Sequence, residues 1–327
     1  MQGKSPKVSV IVVNFNGKSY LEACLRSIVS QGYPDFEVIL VDNNSSDGSV
    51  GYVRQRFPDV LIVENAKNLG YAAGINSGIG RASGVYFAVL NHDTEVRKDW
   101  LAPMVRFLEA NPNAAAVTPK SLLYRQRERV GVMGLNVHVT GLGFVRALNR
   151  RDVGLSTAPF SVAAVSGSSF LVRREVVEKM GGLDEHNFMY YDDVDMSWLI
   201  RLMGYELYCV PESVVYHDYT LKMSSQKLFW LEYGRWSALL SYLKPTTLIL
   251  LLPMLALTEA LVMGFCLRHG LSFLRAKIRA SVAVLRHSGK IAGRRRKAQR
   301  LRKLSDWQLL KRLETGYQLN QVLHILR

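Results

Sequence analysis

Residues 8–17 read VSVIVVNFNG. Val8 to Val13 is β-branched and almost wholly apolar, which suits a strand covered on both faces. It stops at the polar turn Asn14-Phe15-Asn16-Gly17. Outward from this stretch the pattern repeats. Ser19 to Gln31 has helical spacing through Leu21, Cys24, Leu25 and Ile28. Phe36 to Val41 is a second strand, closed by Asp42-Asn43-Asn44-Ser45-Ser46-Asp47-Gly48, and a helix should follow to about Phe57. Val60 to Glu64 is a third strand and Tyr71 to Ala82 a small-residue helix. Val85 to Leu90 is a fourth strand, ending at Asn91-His92-Asp93-Thr94-Glu95, and Asp99 to Asn111 is helical. Strand and helix alternate four times with short connections, which predicts an α/β, doubly wound, mostly parallel sheet. Ligands bind beyond the carboxyl ends of such strands. Asn14/Asn16, Asp42/Asn43, Asn68 and Asp93 all fall at that edge.

Residues 121–160 are less regular and read as hairpins or loops. Val165 to Val172 reads as a strand, Arg174 to Met180 as a short helix and Asp192 to Met203 as a longer one. Glu206 to Val210 and Val214 to Tyr216 read as short strands. Three side-chain groups carry chemistry. Asp93 at a strand end suits a hard divalent cation that neutralises a diphosphate, although an Asx turn alone gives the same pattern. Asp192, Asp193 and Asp195 open a helix, and three carboxylates are more than a cap needs. Their mutual repulsion should raise at least one pKa, which suits a general base. Asn68-Leu69-Gly70 leads into a small-residue helix that lets a phosphate or ribose approach closely. There is no GxGxxG and no Walker pattern, which counts against dinucleotide and P-loop functions.

The formal charge is +15, yet it is concentrated. Residues 268–327 hold 16 of the 42 Lys and Arg and 2 of the 27 Asp and Glu, a net of +14, leaving +1 for residues 1–267. This counts against a uniformly basic nucleic-acid domain. Cys24, Cys209 and Cys266 are far apart in sequence and form no CxxC pattern, so buried reduced thiols in a cytosolic protein are expected. The polar Met1 to Lys7 and the short apolar run after it do not read as a signal peptide.

The segments VSVIVVNFNG, EVILVDNNSSDGS, KNLGYAAGINSGI, VLNHDTEV, SGSSFLVRREVVEKMGGLDE and FMYYDDVDMSWLIRLMGYELYCVPESVVYH run in that order from Val8 to about His217. Together they resemble family 2 glycosyltransferases of the GT-A fold, especially the rhamnosyltransferase-like branch. The resemblance implies an inverting transfer from a nucleotide-diphosphate sugar, with Asp193 as the base and a divalent metal, Mg2+ or Mn2+, on Asp93. His217 is implied as a second metal ligand, with Glu95 competing for that role. Asp42 is implied as the nucleobase-binding acid, with Asn14 and Asn16 near the base, Asn68 and Gly70 near ribose and diphosphate, and Asn91 in the first position of the family's DxD-type motif. Gly167, Ser168, Tyr191 and Asp192 are implied on the acceptor side. His92 departs from the branch's usual Pro.

Residues 246–267 are strongly apolar, and 22 helical residues run roughly 33 Å, enough to cross a bilayer. Pro253 and Glu259 interrupt them, and basic residues flank both ends, which favours a kinked or in-plane element over a span. Leu271, Leu274, Ile278, Val282 and Leu285 then form one helical face, flanked by Arg268, Arg275, Arg279 and Arg286. This is the pattern of a helix on an anionic membrane surface. Packing on the catalytic domain is the alternative. The expected organisation is a catalytic domain over 1–225, divided into a nucleotide-sugar half (about 1–120) and an acceptor half (about 121–225), and a membrane-associating region over 226–327. The expected place of work is the cytoplasmic face of the membrane, as a peripheral or monotopic protein. The acceptor expected there is lipid-linked or a polysaccharide, no nucleic acid is expected, and a homo-oligomer stays open. The competing functions are a sugar nucleotidyltransferase and an inactive sugar-nucleotide-binding subunit.

Overall fold

A computed structural model describes residues 7–219, 222–318 and 321. The outer ends of the expected domain ranges lie outside the described residues. The chain divides into two compact units. The first takes residues up to 135, 145–188 and 205–219, and the second takes 136–144, 189–204 and those from 220 onward.

The first unit is built on a mixed sheet. Its opening strands are β1 (Val8–Asn14), β2 (Phe36–Asp42), β3 (Leu61–Glu64) and β4 (Tyr86–Asn91). They lie in the order β3-β2-β1-β4, all parallel, with β1 central and wholly buried. The intervening helices are α1 (Lys18–Val29), α2 (Ser49–Arg56), α3 (Tyr71–Ile79) and α4 (Leu101–Ala110). The apolar spacing expected for α1 is what it buries: Leu21, Cys24, Leu25 and Ile28. They join Val8, Val10, Val12, Val38, Leu40, Trp100 and Met104 in one core. The chain adds β2 and β3 on one side of β1 and β4 on the other. The switch point therefore lies at the carboxyl ends of β1 and β4, where ligands bind in open α/β sheets.

Beyond β4 the sheet is no longer all parallel. β11 (Ser169–Arg173) runs antiparallel between β4 and β6 (Ala114–Leu123). β12 (Glu206–His217) runs parallel to β6. The two short strands expected at 206–210 and 214–216 are this one strand, bent by a register shift between Val210 and Val214. The irregular region holds the hairpin of β6 with β7 (Gln126–Val132), and the ribbon of β8 (Leu135–Val137) with β9 (Gly143–Val145). The two-residue β10 (Phe160–Ser161) pairs with β12. No boundary falls near 120, because β6 runs through it. Cys24, Cys209 and Cys266 are buried and free.

The second unit is helical. It contains α6 (Asp192–Leu202), α7 (Ser225–Tyr242), α8 (Pro245–Leu250), α9 (Leu252–His269), α10 (Leu271–Arg286), α11 (Ser288–Leu301) and α12 (Asp306–Leu310), while α5 (Arg174–Met180) belongs to the first unit. The expected boundary at 225 is close to the one at 219, but segments 136–144 and 189–204 belong with the C-terminal helices. Side-chain bonds hold them there. Arg235 donates to the Thr140 carbonyl, and Tyr242 and Arg294 bond Asp195.

The apolar stretch 246–267 is broken between α8 and α9. α9 is 18 residues long and apolar enough to cross a membrane by length and composition. Leu255, Thr258 and Cys266 are buried, while Leu252, Leu257, Leu261 and Leu267 are exposed. In α10 the buried face is Ala276, Lys277, Ala280 and Val284. The stripe read from the sequence is outside: Leu271, Ile278, Val282 and Leu285 are exposed, as are Arg268, Arg275, Arg279 and Arg286. Small residues let α10 approach α7 closely, and its larger apolar side chains are left on the surface.

Candidate functional site

In the first unit, the polar turns that end β1 and β2 form a cradle. Asn14 Nδ2 donates to Asp42 Oδ1 (2.8 Å) and to Ser45 Oγ (3.1 Å). Ser45 closes the ring by donating its hydroxyl to Asp42 Oδ1 (2.6 Å) and its backbone N–H to Asp42 Oδ2 (2.8 Å). Asn16 takes a left-handed φ of 51°. Its side-chain oxygen accepts from the Ser46 N–H (2.8 Å). Asn14 and Asp42 are buried and hold one another, so the cradle is pre-organised by the pairing of β1 with β2. Asn43, expected at this edge, and Ser45, which the sequence did not single out, complete it. The Asn43 amide donates to the Gly70 carbonyl (2.9 Å).

Asn68 Oδ1 accepts from the Gly70 N–H (3.0 Å), just before α3. Gly70 has φ 87°, and a Cβ there would lie 2.1 Å from the Phe188 carbonyl oxygen, which accepts the Tyr71 N–H at 2.7 Å. Only glycine fits both demands. Gly70→Ala should destabilise the protein by about 2 kcal/mol or more, read as a fall in the melting temperature. A melting temperature equal to wild type would contradict this close approach. Tyr71 Oη donates to the Gly167 carbonyl (2.5 Å), and Ser168 lies beside it with its Oγ 3.0 Å from Ser166 Oγ.

Asp93 lies in the turn between β4 and β5 (Thr94–Val96). β5 pairs antiparallel with β12, with Thr94 opposite His217. This ladder brings together two residues far apart in sequence: His217 Nε2 is 3.2 Å from Asp93 Oδ1. The two atoms are close but poorly aligned for a hydrogen bond. Burial opposes ionisation of Asp93, but the His217 contact and charge, with His92, outweigh it and hold the carboxyl below its usual range. Asn91 Oδ1 and Asp93 Oδ1 are buried with no hydrogen-bond partner among the described residues. An unsatisfied buried acceptor costs about 1–3 kcal/mol. Unsatisfied amide and carboxylate oxygens in one turn, the carboxylate beside an imidazole nitrogen, are donor types that fit a divalent cation. Among the described residues no cluster of three or more His, Cys, Asp and Glu is of metal-binding type. Glu95 is turned to other work, pairing with Arg127 at 2.9 Å. His92, the unusual residue of this turn, donates through Nδ1 to the Val13 carbonyl (3.1 Å) and packs on Gly17, where a Cβ would lie 2.3 Å from its ring.

Tyr191, Asp192 and Asp193 belong to the second unit. Tyr190 and Tyr191 both adopt left-handed φ values, 62° and 64°, immediately before α6. Two consecutive strained non-glycine residues are uncommon and tend to mark functional turns. The three acids of the first helical turn have different environments. Asp195 is engaged, accepting from Tyr242 Oη (2.9 Å) and from Arg294. Asp192 is buried, and burial, with the charges of Asp193 and Asp195, pushes it up to about 8. Asp193 is half-buried, the most accessible of the three, and its Oδ1 accepts from the Val194 N–H (2.8 Å).

The shift at Asp192 has a consequence for stability. Its folded-state pKa lies above the ordinary carboxylate value, so the folded state binds the extra proton, and stability falls as pH rises from about 4 to 8. Asp192→Asn should flatten that part of the pH profile of the melting temperature and raise stability most at pH 8 and above. A profile parallel to wild type would show that Asp192 ionises normally.

Residues 9–181 match the family model "Glycosyl transferase family 2". Asp193 and His217 lie beyond the matched segment. One relative is an N-acetylglucosaminyl-diphospho-decaprenol L-rhamnosyltransferase of Mycobacterium tuberculosis, 27% identical over 64% of this chain and 75% of its own. Another is an uncharacterised protein of Sinorhizobium fredii, 28% identical over 66% of this chain and 25% of its own. The chain spans less than half the length of that protein, as of a poly-beta-1,6-N-acetyl-D-glucosamine synthase of Staphylococcus epidermidis, 25% identical, where it covers 48%. Among solved structures, a mannosyltransferase from Pyrobaculum calidifontis in complex with GDP-Man and Mn2+ aligns over 94% of this chain and 84% of its own, with TM-score 0.56 and 22% identity. That likeness concerns the fold, which is of the GT-A type. With more than half of its length matched, the chain belongs to glycosyl transferase family 2.

Proposed function

We propose that this protein transfers a sugar, with inversion, from a nucleotide-diphosphate donor to a lipid-linked or polysaccharide acceptor. One observation carries this reading. Within the family-matched segment, the Asn14–Asp42–Ser45 cradle and the unsatisfied oxygens of Asn91 and Asp93 occupy one edge of the sheet, at its switch point. The cradle holds the nucleoside, with Asp42 and Asn14 facing the base and Asn16 beside it. Asn68 and Gly70 shape the approach of ribose and diphosphate. Asn91, Asp93 and His217 would hold a divalent cation, Mg2+ or Mn2+, which when bound neutralises charge on the diphosphate. The Mn2+ bound by the Pyrobaculum mannosyltransferase supports this assignment.

Asp193 takes the proton of the acceptor hydroxyl as its oxygen bonds to the anomeric carbon and the bond to the nucleoside diphosphate breaks. Asp192, protonated at neutral pH, serves as a hydrogen-bond donor. The same reading assigns acceptor binding to Gly167 and Ser168 of the first unit and to Tyr191 of the second. The rhamnosyltransferase relative supports a rhamnose donor and a polyprenyl-diphosphate acceptor. The test is turnover on a panel of uridine-, guanosine- and thymidine-diphosphate sugars with Mn2+ and a membrane lipid extract. Release of the nucleoside diphosphate from one donor well above the others supports the reading, and release from none sinks it.

The same reading places the protein on the cytoplasmic face of the membrane. α9 and α10 present Leu257, Leu261, Leu271, Ile278 and Leu285 to the outside beside Arg268, Arg275, Arg279 and Arg286. Each Lys or Arg contributes about 1 kcal/mol on an anionic surface, and each inserted Leu or Ile about 1.5–3 kcal/mol. Replacing Leu271, Ile278 and Leu285 together by Ser should weaken binding to anionic vesicles by at least ~100-fold. Sedimentation with the vesicles measures this, and unchanged co-sedimentation would remove α10 from the docking face.

A further inference from the structure

Four charged side chains meet between α7, α9 and α10 in the second unit. Arg235 clasps Glu232 with two hydrogen bonds, 2.8 Å from Nε and 2.7 Å from Nη2, and pairs with Glu259. Lys277 pairs with Glu232 and, at 2.6 Å, with Glu259. Trp236 Nε1 also donates to Glu259 (3.1 Å). Arg235, Glu232 and Lys277 are buried, Glu259 is half-buried, and the charges balance. A buried quartet of this kind is a poor source of stability. Desolvation offsets most of its attraction, and well-packed apolar residues commonly do as well. Its presence calls for a different explanation.

A fourth hydrogen bond of Arg235 supplies one. Nη1 donates to the Thr140 carbonyl (3.2 Å). The Thr140 hydroxyl accepts from Thr258 of α9 (2.9 Å) and meets His138 Nδ1 at 2.7 Å. The next residue, Gly141, has φ 82°, and a Cβ there would lie 2.9 Å from both Arg235 Cγ and Tyr191 Oη. Its carbonyl accepts the Tyr191 hydroxyl at 2.7 Å. Tyr191 is the strained residue that starts α6, and its carbonyl accepts the Asp195 N–H (2.9 Å). A continuous set of contacts thus runs from the α9–α10 hairpin through Arg235 and the 138–141 loop to the turn that carries Asp192 and Asp193.

The geometry points to Arg235 as a positioning residue: the quartet clamps the 138–141 loop against Tyr191, and the loop holds the acidic turn of α6 in its strained, working conformation. This rests on the functional reading above for its catalytic consequence, though not for its structural one. The α9–α10 hairpin carries both the exposed apolar face and two of the four charges, so the clamp ties the surface proposed to meet lipid to the proposed base.

The test uses the full-length protein with Tyr191→Phe, Arg235→Lys and the double variant. Two quantities are read: kcat and donor KM on the preferred nucleotide-sugar, and hydrogen–deuterium exchange of the amides at 193–197. Each single variant should lower kcat at least tenfold, leave donor KM within about twofold, and speed exchange at 193–197 at least tenfold. The double variant should be no worse than Tyr191→Phe alone, because both act through one contact. Multiplying effects, or unchanged exchange in folded variants, overturn the clamp. If Arg235→Lys does not fold, Thr258→Val takes its place with the same expectations. If wild-type protein turns over no donor, the functional reading fails, and the exchange data still decide whether the clamp exists.

Discussion

Asp193→Asn should lower kcat for sugar transfer by about 10²–10⁴-fold, the range of a positioned general base, while donor KM stays within about twofold. Three acids open α6, and their surroundings separate their roles. Asp195 is occupied by Tyr242 and Arg294. Burial and the neighbouring carboxylates push Asp192 up to about 8, which favours its protonated form near neutral pH. Asp193 is half-buried, the most accessible of the three. Its replacement by Asn keeps size and polarity and removes only proton acceptance. Steady-state kinetics on the preferred donor measure the effect. If Asp192→Asn costs as much kcat as Asp193→Asn at neutral pH, the roles have been exchanged.

Asp93→Ala should reduce kcat/KM by about 10²–10³-fold, the loss seen when one preorganised electrostatic group is removed from a transition state. It should also raise the Mn2+ concentration needed for half-maximal activity. Asp93 supplies the only carboxylate among Asn91, Asp93 and His217, and its Oδ1 is buried with no hydrogen-bond partner among the described residues. His217→Ala removes an imidazole nitrogen and should raise the Mn2+ requirement less. Nucleoside diphosphate release against Mn2+ concentration, with and without EDTA, measures both. Wild-type turnover that survives EDTA, or an Asp93→Ala enzyme with an unchanged Mn2+ curve, would remove the cation from Asp93.

Much of the nucleotide side is legible from the chain alone, for a physical reason. β1 to β4 are short apolar runs that alternate with helices, each strand ends in polar turn residues, and local periodicity reports both. The resemblance then attached roles to Asn14, Asp42 and Asp93. What sequence patterning could not convey depends on long-range pairing. Asp93 meets His217 only because β5 and β12 form a ladder. β6 has no local signature at Ala114-Ala115-Ala116, and its strand character comes from lying between β11 and β12.

The tail illustrates a second limit. The stripe Leu271, Leu274, Ile278, Val282, Leu285 is a real face of α10, yet periodicity cannot say which face is inside. Ala276, Ala280 and Val284 go inward with Lys277, a choice made by close helix packing and by the carboxylates of Glu232 and Glu259. Nor does any local pattern announce that Arg235 reaches Thr140, or that Arg294 from the basic run is bonded to Asp195. Part of the charge that looked like a lipid-binding cluster is thereby spent inside the fold.

The central claim is inverting transfer from a nucleotide-sugar, and the configuration of the product tests it most directly. Purified full-length protein, Mn2+, the preferred donor and a membrane lipid extract are followed by proton NMR of the anomeric signal as product first forms. The account predicts one new glycoside whose anomeric configuration is opposite to that of the donor, absent with Asp193→Asn. A product that keeps the donor's configuration, or one formed equally well by the Asp193→Asn enzyme, would contradict it.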